Sequence, residues 1–227
     1  MEHKYCTSLR ARNERGNLLI MRRLPHLSAR NEVKYVKISL SKYLVLLIIT
    51  FGCTHKSDYR KMVDRELAKD IRVDSLFMGL EFGMTRPEFF AHCWELNKQG
   101  LFRDGPGNTT VEYETNDLKY PAYVHFYPDF YEGKISEIPV KFKYKAWAPW
   151  NKHLFADSLQ LDVLELYKKW YGDGFIKVTH PERGTLFVKV DGNRRIIIAK
   201  TDDVSVTALY SDLSVEEDRN NNQLSSY

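Results

Sequence analysis

Glu112 and Glu114 stand two residues apart in Val111-Glu-Tyr-Glu-Thr115, a stretch that alternates like a strand, so both carboxylates fall on one face. Paired carboxylates can act as acid and base, but glycosidase pairs normally come from different elements, with carboxyl groups roughly 5–10 Å apart. Exposed strand carboxylates are the simpler reading. His55, His92, His125, His153 and His180 are spread along the chain, and no two have the His-x-x-x-His spacing that offers two ligands to one metal. Gly105-Pro-Gly107 and Gly172-Asp-Gly174 are too short to cradle a phosphate, and no Gly-x-Ser-x-Gly or Cys/His arrangement occurs. Cys93 lies between Phe89 and Leu96 on the apolar side of a helical pattern, where a thiol acts as a small hydrophobe. No metal, cofactor or catalytic residue is assigned, and an undetected hydrolase is the one enzyme reading left open.

Binding chemistry is better represented. In Val140-Lys-Phe-Lys-Tyr-Lys-Ala146 the period of two puts Val140, Phe142 and Tyr144 on one face and Lys141, Lys143 and Lys145 on the other. The lysines read either as the guarded wet face of an antiparallel strand or as a contact for an anion or polysaccharide. Aromatic residues crowd the same region, and alternation can bury only about half of them. Tyr123, Tyr127, Trp147 and Trp150 are the candidates for an exposed patch that receives a protein segment or a glycan.

Two helices must position these strands. Thr85 and Glu88 have the spacing of a capping box, Phe89, Phe90, Cys93 and Leu96 follow at helical steps, and Gly100 sits where a left-handed cap belongs. Strands are expected over 111–115, 123–127 and 138–147, with Tyr131-Glu-Gly-Lys-Ile135 as a hairpin turn. The order then repeats. Asp157 and Gln160 resemble a second capping pair, and Leu159, Val163, Leu166, Tyr167 and Trp170 line a helix closed by Gly172-Asp-Gly174. Strands follow over 175–179, 185–189, 195–200 and 204–210, with Asp191-Gly192-Asn193 as a hairpin turn. The expected class is α+β, as two tandem units of a capped helix on an antiparallel sheet, residues 75–150 and 151–212. Residues 53–74 read as a charged tether and 213–227 as a disordered tail.

Ahead of these elements, Tyr43 to Gly52 is an uncharged apolar run, about half of the ~20 residues a membrane-spanning helix needs. Lys34, Lys37 and Lys42 precede it and Cys53 follows it. This pattern resembles a bacterial lipoprotein signal, in which the cysteine is lipidated and becomes the mature N-terminus. The resemblance makes 1–52 a leader and Cys53 the lipid anchor, with Met21 as an alternative start. Thr50 and Phe51 depart from the small and aliphatic residues usual before the cysteine, and a buried apolar element with an incidental cysteine is the alternative. Of the net charge of +4, residues 1–42 hold +7 (ten Lys and Arg against three Glu), which leaves −3 beyond Cys53. The basicity belongs to the leader, so nucleic acid is not an expected partner. Cys93 is then the one cysteine of the domain, which cannot rely on an internal disulfide.

Phe82-Gly-Met-Thr-Arg-Pro-Glu-Phe89 also resembles the Gly-Met-Thr/Ser-x-x-Glu opening of small outer-membrane assembly lipoproteins of the SmpA/OmlA type and of the β-lactamase-inhibitor-protein-like fold. The resemblance implies a protein-binding scaffold without catalytic residues. Here the family's Leu-Gly-x-Pro helix ending is replaced by Asn97-Lys-Gln-Gly100. The expected function is a non-catalytic interaction or assembly module of the cell envelope, outer-membrane anchored and periplasm-facing, with a glycan or small-ligand binder as the alternative.

Overall fold

The computed structural model describes residues 57–216 and 218; Cys53, His55, the proposed leader and most of the proposed tail lie outside the described residues. The elements are α1 (Asp58–Leu67), α2 (Arg86–Lys98), β1 (Arg103–Asp104), β2 (Val111–Thr115), β3 (Ala122–Phe126), β4 (Asp129–Tyr131), β5 (Lys134–Tyr144), α3 (Ala156–Tyr171), β6 (Ile176–His180), β7 (Gly184–Asp191), β8 (Arg194–Lys200) and β9 (Ser205–Asp212). The class is α+β. All strand pairs are antiparallel, and the order β1-β2-β3-β5-β9-β8-β7-β6 makes one sheet, with β4 paired to β5 beside that path.

The seam of the sheet is β5 against β9, where Val140 faces Ala208 and Phe142 faces Val206. Ile138, Val140, Phe142 and Tyr144 alternate inward along the eleven residues of β5, as the period of two requires. Proline lacks the N–H a central ladder needs. Pro139 sits where β5 changes partner, between Glu137 opposite Asp129 of β4 and Val140 opposite Phe126 of β3. The β4–β5 hairpin turns at Glu132 and Gly133, both at positive φ (50° and 78°), the pairing a tight two-residue turn needs.

α3 covers one face of the sheet at this seam. Leu159, Val163, Leu166 and Tyr167 are buried, with Tyr167 edge-on to Phe142 at 6.1 Å and tilted over Tyr210 at 5.8 Å between ring centroids. Each fully buried side chain of this size contributes about 1.5–3 kcal/mol. At the entrance of α3 the sequence expectation fails. Phe155 is the N-cap and makes no side-chain cap; the Ala156 N–H donates to the Asp203 carbonyl at 2.8 Å. Asp157 instead pairs with Lys200 at 2.5 Å, and Gln160 is buried, its Nε2 donating to the carbonyls of Thr185 at 2.9 Å and Ile198 at 3.2 Å. A carbonyl of the β8–β9 loop, brought by the fold, takes the place of a local cap.

α2 has the expected entrance. Thr85 N–H donates to Glu88 Oε2 at 2.8 Å and Glu88 N–H to Thr85 Oγ1 at 3.5 Å, completing the box. The Thr85 N–H and hydroxyl, both donating to Glu88 Oε2 at 2.8 Å, hold the Glu88 carboxyl below the usual range. At the other end Gly100 has φ +72°, and the Leu101 N–H returns to the Leu96 carbonyl at 3.0 Å.

The opposite face of the sheet is divided. Over β6–β8 it is apolar, and α1 covers it: Met62 packs with Leu186, Val188, Val190 and Leu213. The stretch read as a tether is thus in part a core element. Its thin stripe suffices because β7 and β8 present apolar side chains on both faces. The chain leaving α1 crosses the β7–β8 turn so closely that a Cβ on Gly192, already at φ +55°, would stand 2.1 Å from the Ile71 carbonyl oxygen. Residues 213–216 are helical, Leu213 is buried, and Glu216 meets Arg195 at 3.0 Å, so the expected disorder does not begin at 213.

Candidate interaction surfaces

Over β2, β3 and β5 the second face of the sheet carries Glu112, Glu114, Tyr123, His125, Lys141 and Lys143, with Lys145 beyond the end of β5. Glu112 faces His125, their side chains meeting at 2.5 Å, and Arg103 bonds both Glu112 (2.5 Å) and Glu114 (2.7 Å). Lys145 reaches Glu114 at 2.5 Å and Lys141 reaches Asp202 at 3.5 Å. Burial pushes the Glu112 carboxyl up, but Arg103 and His125 outweigh it and hold it below the carboxylate range. Lys145 and then Arg103 lower Glu114 in the same way. Glu112 is therefore locked in place, its carboxylate oxygens committed to Arg103 and His125. Lys141 and Lys145 are likewise paired, with Asp202 of the β8–β9 loop and with Glu114.

The aromatic candidates are not gathered into one patch. Tyr123 lies on this open face, with Lys145 at 5.0 Å and Arg103 at 5.6 Å from its ring centroid. Tyr127 belongs to the helix side, packed edge-on to Phe89 and accepting from Arg86 Nη1 at 3.0 Å. Trp147 packs against the core, edge-on to Phe155 at 5.8 Å, while Trp150 is 86% exposed. Alternation assigns a residue to a face but not the cover over that face, which is why the four separate.

The exposed apolar surface lies elsewhere. α2 gives Phe89 to the core and leaves Phe90 50% and Trp94 61% exposed, with Leu101 47% exposed just past the helix end. Phe90 and Trp94 are four apart and share a face. Beside them a cavity of about 240 Å³ opens between α2 and the β1–β2 loop, lined by Phe90, Cys93, Trp94, Phe102, Tyr127 and residues 108–111 among others. Lys98 stands 5.7 Å over the Trp94 ring, and Arg86 stacks 4.2 Å from the Phe130 centroid. Burial pushes the Cys93 thiol up to about 12, so the thiol lining the cavity stays protonated and is no nucleophile at neutral pH. The signal for this surface is a second apolar stripe, Phe90 and Trp94, beside the core stripe of Phe89, Cys93 and Leu96.

Among the described residues no group of three or more His, Cys, Asp or Glu side chains could hold a metal ion, and no helix is long and apolar enough to cross a membrane. No known family model matches the sequence, no curated protein matches it, and no solved structure matches the fold.

Proposed function

We propose that this chain is a lipid-anchored protein of the bacterial cell envelope whose domain binds another envelope protein through the outward face of α2. The observation that carries the binding half is the Phe90–Trp94 pair, large aromatic rings standing in solvent beside a preformed cavity. Contiguous exposed aromatic surface is costly to leave in water and is the usual material of binding hot spots. The anchoring half rests on the apolar run from Tyr43 and the Gly52-Cys53 pair behind a basic approach. With Thr54 rather than aspartate after the cysteine, the sorting resemblance favours the outer membrane, periplasm-facing. The order of helix and strands, α2 with β1–β5 and α3 with β6–β9, is consistent with two units of the β-lactamase-inhibitor-protein-like kind fused edge to edge through β5 and β9. The glycan alternative would use the lysine face, and it is weakened because Lys141 and Lys145 are already in ion pairs.

The two halves are tested separately. In the native host, the wild type should lose residues 1–52, gain lipid mass and fractionate with membranes, whereas Cys53→Ala should do none of these. Phe90→Ser with Trp94→Ser should leave the thermal melt unchanged while removing a defined envelope protein that co-purifies stoichiometrically with the wild type. Retention of the partner by that double variant sinks the α2 surface, and a wild type that keeps residues 1–52 in the soluble fraction sinks the anchor.

A further inference from the structure

A second cavity, of about 440 Å³, shares no lining residue with the one beside α2 and is lined by Leu76, Phe77, Met78, Asp117, Trp170 and Tyr171. Its walls are three aromatic rings, a thioether and an aliphatic side chain, and its one charged side chain is a carboxylate. Trp170 and Tyr171 stand at 84° to one another with centroids 6.2 Å apart, so they form adjoining sides of a box rather than a stack. Trp170 is 39% exposed and Met78 38%, which puts them at the mouth, whereas Phe77 is buried, stacked on Tyr210 at 5.7 Å.

The mouth is held in place. Met78 and Gly79 form a tight turn at positive φ (54° and 77°), closed by Leu76 N–H to the Leu80 carbonyl at 2.8 Å. His92 of α2 clamps the turn through its Nε2 and the Met78 carbonyl at 2.7 Å. At the opposite wall, Lys189 Nζ donates to the carbonyls of Tyr171 (2.7 Å) and Asp173 (2.6 Å), fixing the end of α3. The Arg194 guanidinium lies 4.6 Å over the Tyr171 ring, so one face of that ring already holds a cation inside the protein. Among the described residues Asp117 has no ion-pair partner; it interacts with Thr115, whose hydroxyl lies 3.3 Å from Asp117 Oδ2.

Aromatic faces attract a cation through their quadrupole, and an ammonium that is methylated or alkylated also gains from leaving water. A carboxylate with no internal counter-ion supplies the opposite charge. We propose that this cavity binds an organic monocation, a quaternary or alkylated ammonium group, with Trp170 and Phe77 as aromatic walls, Met78 as the apolar lip and Asp117 as the counter-ion. A domain anchored at Cys53, as proposed above, stands beside a lipid surface, so the choline headgroup of a lipid is the favoured source, and a methylated lysine side chain is the other outcome of the test.

The test uses the full chain carrying Cys53→Ala, so that no lipid anchor contributes, titrated by calorimetry and tryptophan fluorescence with choline and with its neutral isostere 3,3-dimethylbutan-1-ol. Choline should bind saturably and about tenfold tighter than the neutral alcohol, the size of one partly desolvated cation–aromatic contact plus its counter-ion. Asp117→Asn should erase that preference while leaving alcohol binding unchanged. Trp170→Ala should weaken choline by about fivefold or more and Trp170→Phe by less, with the thermal melt confirming that each variant is folded. Stronger retention by phosphatidylcholine than by phosphatidylglycerol vesicles assigns the lipid source, and binding of a trimethyllysine peptide over its unmethylated form assigns the side chain. Absence of saturable choline binding, equal binding of the neutral alcohol, or choline binding indifferent to Asp117→Asn overturns the proposal.

Discussion

α2 buries Phe89 and leaves its neighbours Phe90 and Trp94 largely in solvent, whereas α3 buries seven of its sixteen residues, polar Gln160 among them. α3 lies over the seam of the sheet, where β5, β8 and β9 give it a continuous apolar floor. α2 packs over Tyr127 and Phe130, which cover one stripe and leave the second open. The caps run the other way. α2, with little tertiary cover, is closed by its own Thr85 and Glu88, while α3 receives its first bond from the Asp203 carbonyl. A helix anchored by packing can dispense with local capping, and one that keeps apolar surface free depends on it.

The largest break of that comparison is Leu159→Ala under the seam, which should destabilise by about 2–5 kcal/mol in chemical denaturation because it opens a cavity in a site with no room to collapse. Met62→Ala should cost about 2 kcal/mol, since α1 closes the second core cluster; a change within ~0.5 kcal/mol would return α1 to the status of a tether. Thr85→Ala should cost about 1 kcal/mol, against less than ~0.5 kcal/mol for Asp157→Ala, which removes only a surface pair with Lys200. The smallest effect is expected from Phe90→Ser with Trp94→Ser, within ~0.5 kcal/mol of the parent in stability.

Acid provides a separate probe of the open sheet face. Glu112 and Glu114 are held below the usual carboxylate range in the folded protein. Their contribution is present above the unfolded carboxylate pKa, and it is lost as pH falls through the lowered folded values. The melting temperature should therefore hold above about pH 5 and drop below it. Glu112→Gln should flatten that drop, and an equally steep acid limb in the variant would assign it to other carboxylates.

Much of this was legible locally. The period of two marks β2 and β5, the Thr85–Glu88 box and Gly100 bound α2, and Gly133 and Gly192 mark their turns. Cys93 was legible as a hydrophobe from its stripe alone. What escaped depends on partners distant in sequence. The Asp157–Gln160 spacing imitates a cap, and only the approach of Asp203 and of β7 and β8 turns Gln160 inward. The stripe on α1 is too thin to identify as core until β7 and β8 show a second apolar face to receive it. Tyr123, Tyr127, Trp147 and Trp150 are close in sequence, yet they fall into four environments because helices and loops cover the sheet unevenly.

The central claim is that the Phe90–Trp94 face of α2 is kept for a protein partner while the Leu161 face of α3 is not. Leu161, 54% exposed on α3, is the matched control for Trp94. A photoreactive amino acid placed at position 94 or at position 161 of the full chain in its native host tests this directly. The account expects one discrete crosslinked envelope protein from position 94, abolished by Phe90→Ser, and none from position 161. Equal crosslinking from both positions, or none from position 94, would contradict it.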